Sequence, residues 1–135
     1  MTDMVYQANR SRIMRSIRGK NTGPEMAVRH LTYSMGYRYR LYRTDLPGRP
    51  DLVFLGRRKA IFVHGCFWHR HGCKLTRPLP LANRRYWRRK FARNLARDAE
   101  QEKALRRAGW RVLVVWECET RDLEKLRARL RKFLG

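Results

Sequence analysis

The run His64-Gly65-Cys66-Phe67-Trp68-His69-Arg70-His71-Gly72-Cys73 holds three of the four histidines and two of the three cysteines in the chain. Thiolate and imidazole are the ligands Zn²⁺ takes most readily, and structural sites use four of them tetrahedrally. Cys66, Cys73 and Cys118 supply three thiols. One histidine of the run completes a Cys₃His set. Spacing does not choose between His69 and His71. Two positions apart in an extended loop, they point to opposite sides, so one is left to face a substrate. Phe67 and Trp68 offer large flat faces, suited to burial or to insertion between bases.

A second chemistry lies upstream. A tight turn centred on Arg57-Arg58 sets Asp51 opposite His64, to within a residue, across a hairpin. A carboxylate at a sheet edge beside backbone carbonyls suits Mg²⁺, a hard cation that takes oxygen ligands. Such sites support metal-assisted phosphodiester cleavage. The other reading of Asp51 is a cap on the Pro50 turn. Asp98, an acid within a basic stretch, either pairs with Asn94 or an arginine, or orients a catalytic histidine. Trp87 stands among Arg84, Arg85, Arg88, Arg89 and Lys90. That is either a stacking surface amid phosphate contacts or a core tryptophan on a solvated basic helix.

The elements that must hold these groups follow from pattern. Residues 10–19 read as a short basic helix with Ile13, Met14 and Ile17 at helical spacing. Thr22-Gly23-Pro24-Glu25 is a capping-box start to a helix that presents Ala27, Leu31 and Met35 and stops at Gly36. Tyr37 to Arg43 alternates as a half-exposed strand. Asp51–Leu55 and Ala60–His64 form the hairpin. Asn83 caps a long helix to about Ala108, closed by Gly109. Trp110–Trp116 is an apolar strand buried on both faces. A last helix, from about Arg121 to Leu134, carries Leu123, Leu126, Leu130 and Phe133 or Leu134 on one face. The long helix between the last two strands is what a right-handed parallel crossover needs. The expected fold class is three-layer α/β/α around a small mixed sheet, with residues 1–20 as a basic helix or arm and 21–135 as one domain.

Composition narrows the partner. The chain has 135 residues, 33 Lys and Arg against 11 Asp and Glu, and a net charge of +22. A GC-rich genome inflates arginine, but an excess this large points to a polyanion, with nucleic acid leading. No apolar stretch approaches the ~18 residues of a membrane span, and the first residues lack a secretory apolar region. An odd cysteine count beside histidines fits a reducing cytoplasm rather than a disulfide framework.

Together these residues resemble the very-short-patch repair (Vsr) family of mismatch-specific DNA nickases, over nearly the whole chain. The matching text includes Thr22-Gly23-Pro24-Glu25, Leu46-Pro47-Gly48-Arg49-Pro50-Asp51, Ile61 through His69 with His71 and Cys73, Asn94, Arg97-Asp98, and Gly109-Trp110-Arg111-Val112-Leu113 with Val115-Trp116-Glu117-Cys118. The resemblance implies a restriction-endonuclease-like fold acting on duplex DNA with a T·G mismatch, left when 5-methylcytosine deaminates. The cut would fall 5′ to the mismatched T. Asp51 and the backbone carbonyl of Val63 would bind Mg²⁺. His69 would be the general base, oriented by Asp98, with His64 and Glu25 assisting at the scissile phosphate and metal-bound waters. Cys66, His71, Cys73 and Cys118 would hold structural Zn²⁺. Phe67, Trp68 and Trp87 would wedge beside the mismatch, with Met14 entering from the minor groove, and Arg84, Arg85, Arg88 and Lys90 would meet DNA. Such an enzyme would be a monomer in the bacterial cytoplasm, associated with the nucleoid. Mismatch-repair proteins or a cytosine methyltransferase are its candidate partners.

One feature departs from the wider fold. Restriction-like sites place Asp or Glu, any residue, then Lys on the second catalytic strand, where this chain has Phe62-Val63-His64. The Vsr pattern accommodates that, with a main-chain oxygen in place of the carboxylate and histidines for proton transfer. Two other functions compete: a zinc-stabilised nucleic-acid-binding module without catalysis, and a same-fold nuclease for another lesion. The binding module has no use for Asp51, His64, His69 and Asp98 together, since a lone carboxylate repels phosphate.

Overall fold

The structure is a computed structural model and describes residues 22–135. The segment 1–20, with Met14, lies outside the described residues. Helix α1 spans Gly23–Ser34, β1 Leu52–Phe54, β2 Lys59–His64, α2 Arg84–Arg107, β3 Arg111–Trp116 and α3 Leu123–Leu134. The strands form one sheet in the order β1-β2-β3. β1 and β2 are antiparallel, β2 and β3 parallel, and α2 is the crossover between the parallel pair.

Alternation along the strands divides the core in two. Leu52, Phe54, Ile61 and Val115 pack with Val28 and Leu31 of α1 and Leu126, Leu130 and Leu134 of α3. Val53, Ala60, Phe62 and Val112 pack with Leu105 of α2 and Trp110. A sheet buried on both faces needs a layer on each side, and the helices supply a three-layer α/β/α arrangement. α1 begins where its sequence says: the Glu25 N–H donates to Thr22 Oγ1 at 3.2 Å, and Gly36 follows the helix at φ 95. Its buried residues are Glu25, Val28, Arg29, Leu31 and Thr32. Ala27 and Met35 are only partly covered, so the inward face is rotated from the one expected. On α3 the spacing Leu126, Leu130, Leu134 is buried, but Leu123 opens the helix with 52% of its surface exposed, after a 3₁₀ turn at Glu117–Arg121.

Three other expectations are corrected. Tyr37–Arg43 is not a strand. Arg40 alone bridges Val53, through N–H···O distances of 2.8 and 3.0 Å. Tyr42 then turns the chain at φ 58, which ends any extended run. Asn83 does not cap α2 with its side chain; it sits at φ 58, whereas an N-cap side chain reaches the first amides from the β region. The hairpin turn lies one residue earlier than expected. Leu55–Arg57 forms a 3₁₀ turn that Arg58 closes at φ 54. The register is therefore Leu52 with Ile61 and Phe54 with Lys59, and Asp51 lies beside Val63 rather than opposite His64. Its N–H donates to Ile61 O at 3.0 Å and its Oδ2 accepts the Val63 N–H at 2.7 Å.

Gly48 fixes the approach to that point. At φ 76 it brings the Leu46–Pro50 turn against α2 and β2, where an added Cβ would stand 3.0 Å from Gln101 Cβ and from Phe62 Cζ.

Candidate functional site

Two parallel strands end side by side, with His64 in register with Trp116. The chain leaving β2 becomes the Cys/His loop, and the chain leaving β3 delivers Glu117 and Cys118. This adjacency brings together residues about fifty positions apart. It is tied by the Cys66 N–H, which donates to Glu117 Oε1 at 3.2 Å.

The loop is a series of tight turns, not the extended segment expected. His69 N–H donates to Gly65 O and His71 N–H to Cys66 O, with Arg70 between them at φ 50. The left-handed residue sends the two histidines to different centres. His71 Nδ1 lies 3.6 Å from Cys66 Sγ and 3.6 Å from Cys118 Sγ. With Cys73, these four ligand atoms lie within 4.8 Å of one another and could hold a metal ion. Burial pushes the Cys66 thiol up to about 12. At Cys73 burial pulls the same way, but contacts with His71 and the Leu75 N–H outweigh it and bring the thiol down to about 6. The Leu75 N–H donates to Cys73 Sγ at 3.4 Å, which stabilises a thiolate. Three thiols and one imidazole, one thiol already favouring its anion, fit a thiophilic tetrahedral cation such as Zn²⁺.

The other centre is His64, His69 and Asp98, whose ligand atoms also lie within 4.8 Å. His69 Nδ1 is 2.6 Å from Asp98 Oδ2, and the His64 and His69 rings stack at 3.8 Å, 4° apart. Asp98 reaches across from α2, so of its readings the structure supports the histidine contact. Burial works against ionisation there, yet the His69 hydrogen bond holds the carboxyl below its usual range. Burial, helped by His69, pushes the buried His64 down to about 4. Asn94 instead accepts from Arg97 Nη2 at 2.9 Å.

Asp51 belongs to a neighbouring group on the α1 side. Burial, with the nearby Glu25 carboxylate adding to it, pushes its carboxyl up to about 7 against the opposing Val63 N–H. Glu25 is buried and paired with Arg29 one turn on. Two largely buried carboxyls that feel each other's charge, partly offset by Arg29, beside backbone oxygen are a donor set that fits a hard cation such as Mg²⁺. Glu25, Val63, His69, Phe67 and Trp68 share the lining of one cleft of about 830 Å³.

The aromatics pack on the core and also reach the cleft. Phe67 and Trp68 are half-buried, their rings 5.0 Å apart and edge-on, and both pack near the buried Phe91 of α2. Trp87 stacks on Phe91 at 5.8 Å, with Lys90 Nζ 5.5 Å from its ring centre. The cluster is thus anchored in the core while Phe67 and Trp68 face the cleft. Lys90 also lines the cleft; Arg84, Arg85 and Arg88 are exposed earlier on α2.

Sequence reasoning assigned no role to Trp116 or Glu117. The Trp116 ring stacks on His71 at 4.1 Å and meets His64 edge-on at 5.3 Å and His69 at 6.3 Å. It is the wall between the two histidine centres. The signal available was its place at the end of a buried strand one residue before Glu117 and two before Cys118. Arg77, Arg97 and Arg121 add positive charge to the cleft lining.

Comparison with known proteins gives a consistent picture. A family model described as "DNA mismatch endonuclease Vsr" matches residues 2–75. A type II nicking enzyme, V.XorIIP of Xanthomonas oryzae pv. oryzae, is 54% identical over 134 residues, covering 99% of this chain and 98% of the relative. The DNA mismatch endonuclease Vsr of Escherichia coli K12 is 41% identical over 126 residues, 93% of this chain and 80% of the relative. A type II nicking enzyme, V.NmeAIP of Neisseria meningitidis, is 37% identical over 134 residues, 99% and 95%.

Proposed function

From the premise that the chain belongs to the Vsr family of DNA mismatch endonucleases, we propose that it nicks duplex DNA 5′ to the T of a T·G mismatch arising from 5-methylcytosine deamination, with Mg²⁺ as catalytic and Zn²⁺ as structural cofactor. The observation that carries this reading is the separation of the two histidine centres: His69, held from behind by Asp98, lines the cleft, and none of the four Cys/His cluster residues does.

In this mechanism His69 is the general base. A Nδ1–H donated to the Asp98 carboxylate leaves Nε2 free to take a proton from the attacking water. Asp98 fixes the tautomer and stabilises the imidazolium that forms. His64, stacked on His69, limits its tilt and offers an N–H near the scissile phosphate. Asp51 and the Val63 carbonyl would hold Mg²⁺, with Glu25 ordering water beside them. A bound Mg²⁺ supplies Lewis-acid stabilisation of charge on the phosphate. Cys66, His71, Cys73 and Cys118 would hold Zn²⁺ as scaffold. Phe67, Trp68 and Trp87 wedge beside the mismatch, Arg84, Arg85, Arg88 and Lys90 contact DNA, and residues 1–20, with Met14, serve as an arm from the minor-groove side.

The test is a panel of duplexes carrying T·G, other mismatches or normal pairs, in several flanking contexts, incubated with Mg²⁺ or EDTA. The nick is mapped to the nucleotide. A Mg²⁺-dependent nick 5′ to the T is expected. Equal cutting of all duplexes, or cutting of both strands, contradicts the reading. Asp51→Asn should bind DNA as before while losing nicking; retained nicking removes Asp51 from the metal site.

A further inference from the structure

Arg70 stands between His69 and His71 and is the one residue of the loop with both a strained backbone and a side chain on the aromatic cluster. Its φ of 50 is the left-handed region that a long side chain enters at a cost. Glycine follows two positions later at φ 93, whereas the left-handed position here is an arginine. The Arg70 guanidinium carbon lies 5.2 Å from the Phe67 ring centre and 5.0 Å from that of Phe91. Nη1 also donates to Phe67 O at 3.4 Å. A planar cation held to two rings and a carbonyl is a clamp on Phe67.

We infer that Arg70 is a specificity-determining positioning residue, whose guanidinium holds Phe67 in its cleft-facing pose and thereby sets how strongly the enzyme prefers mismatched to paired DNA. The inference rests on the wedge role given above to Phe67 and Trp68. Inserting a ring beside a base pair costs unstacking, least at a mismatch. A wedge already fixed in place adds no ordering cost of its own, so the difference between mismatched and paired DNA appears in binding. On paired DNA, where unstacking is costly, the wedge stays out; on mismatched DNA it inserts, so the cost of ordering a loose wedge falls on the mismatch complex alone and shrinks the preference. Arg70 touches the rings rather than the reacting atoms, so its effect belongs in KM and preference, with turnover at saturation little changed.

Three variants separate guanidinium from backbone. Arg70→Gly removes the clamp and relieves the φ strain, Arg70→Ala removes the clamp and keeps the strain, and Arg70→Lys keeps a cation over the rings. Each is measured for KM and kcat on T·G and on A·T duplexes, for bound zinc, and for tryptophan fluorescence without DNA. Gly and Ala are expected to raise KM for T·G about tenfold, the order of two lost cation–π contacts. Both should shrink the T·G preference and shift the fluorescence, with zinc and kcat near wild type. Lys should recover most of the loss. Wild-type behaviour in the Gly variant, or a fall in kcat at constant KM, overturns the inference. If the wild type cuts T·G and A·T alike, it is the mismatch reading that fails. Fluorescence and duplex affinity of the variants then still report whether Arg70 fixes the wedge: unchanged values overturn the inference.

Discussion

At the scale of single residues, the two histidines on either side of Arg70 have separable chemistry. His69→Ala removes the proposed base and should cut nicking at least a hundredfold, the range of a lost general base, while bound zinc measured by elemental analysis stays at the wild-type level. His71→Ala should do the reverse, lowering zinc first and activity as a consequence. Zinc loss in His69→Ala would mean that His69, not His71, completes the zinc set. Asp98→Asn should keep the fold but permit the wrong His69 tautomer, so nicking falls while duplex affinity measured by anisotropy is unchanged. The sequence names all of these side chains, because few residue types ligate metals or move protons and this chain places them close together. Which histidine joins the thiols is a matter of one φ angle at Arg70. No spacing rule carries that information, since an arginine is not the residue expected in a left-handed turn. The role of Trp116 is hidden in the sequence for a related reason: a tryptophan ending a buried strand reads as core, and its ring contacts with His71, His64 and His69 give it a role.

At the scale of elements, positioning depends on close approach. Gly48 lets the turn before Asp51 sit against Gln101 of α2 and Phe62 of β2, at separations no side chain tolerates without a shift. Gly48→Ala should therefore destabilise the protein by about 2 kcal/mol, read as a fall of several degrees in Tm by differential scanning calorimetry. Its nicking should fall by more than unfolding accounts for, because Asp51 moves with the turn. Helix and strand identity was largely legible: α1, α2, β2 and β3 follow from caps, closing glycines and apolar runs. The hairpin register was not. Moving a turn by one residue slides the pairing by two, and the difference between Arg57-Arg58 and a 3₁₀ turn at Leu55–Arg57 is smaller than local propensity resolves. Tyr37–Arg43 shows the opposite failure, an alternating pattern that earned a single bridge because Tyr37 and Tyr39 are held elsewhere. Tyr37 donates to Gly135 O at 2.7 Å and Tyr39 meets Phe54 edge-on.

At the scale of the whole molecule, charge dominates. A net charge of +22 exceeds what one cleft can use, so association with duplex DNA should be steep in salt. The slope of log K against log salt should be about −0.9 per phosphate contacted on B-DNA, and Arg97→Gln or Arg121→Gln should each reduce it by about one if that cation of the cleft lining meets a phosphate. An unchanged slope assigns the residue to the protein rather than to the DNA. The three-layer architecture was legible at this scale, since one buried strand separated from a hairpin by a long helix leaves few alternatives. Among the described residues no helix is long and apolar enough to cross a membrane.

The parallel pairing of β2 with β3 has a kinetic consequence. His71 and Cys118 are 47 residues apart in the chain, and the whole of α2 lies between them. A ligand set assembled from sequence-distant segments cannot close until the crossover has been made, and non-local closure is the slow part of folding. Metal capture by the proposed zinc cluster should therefore be a late event that reads out correct topology. In refolding with Co²⁺ as the reporter, thiolate–cobalt absorption should lag behind the helical far-ultraviolet signal; simultaneous appearance would mean that the loop binds metal before the sheet exists.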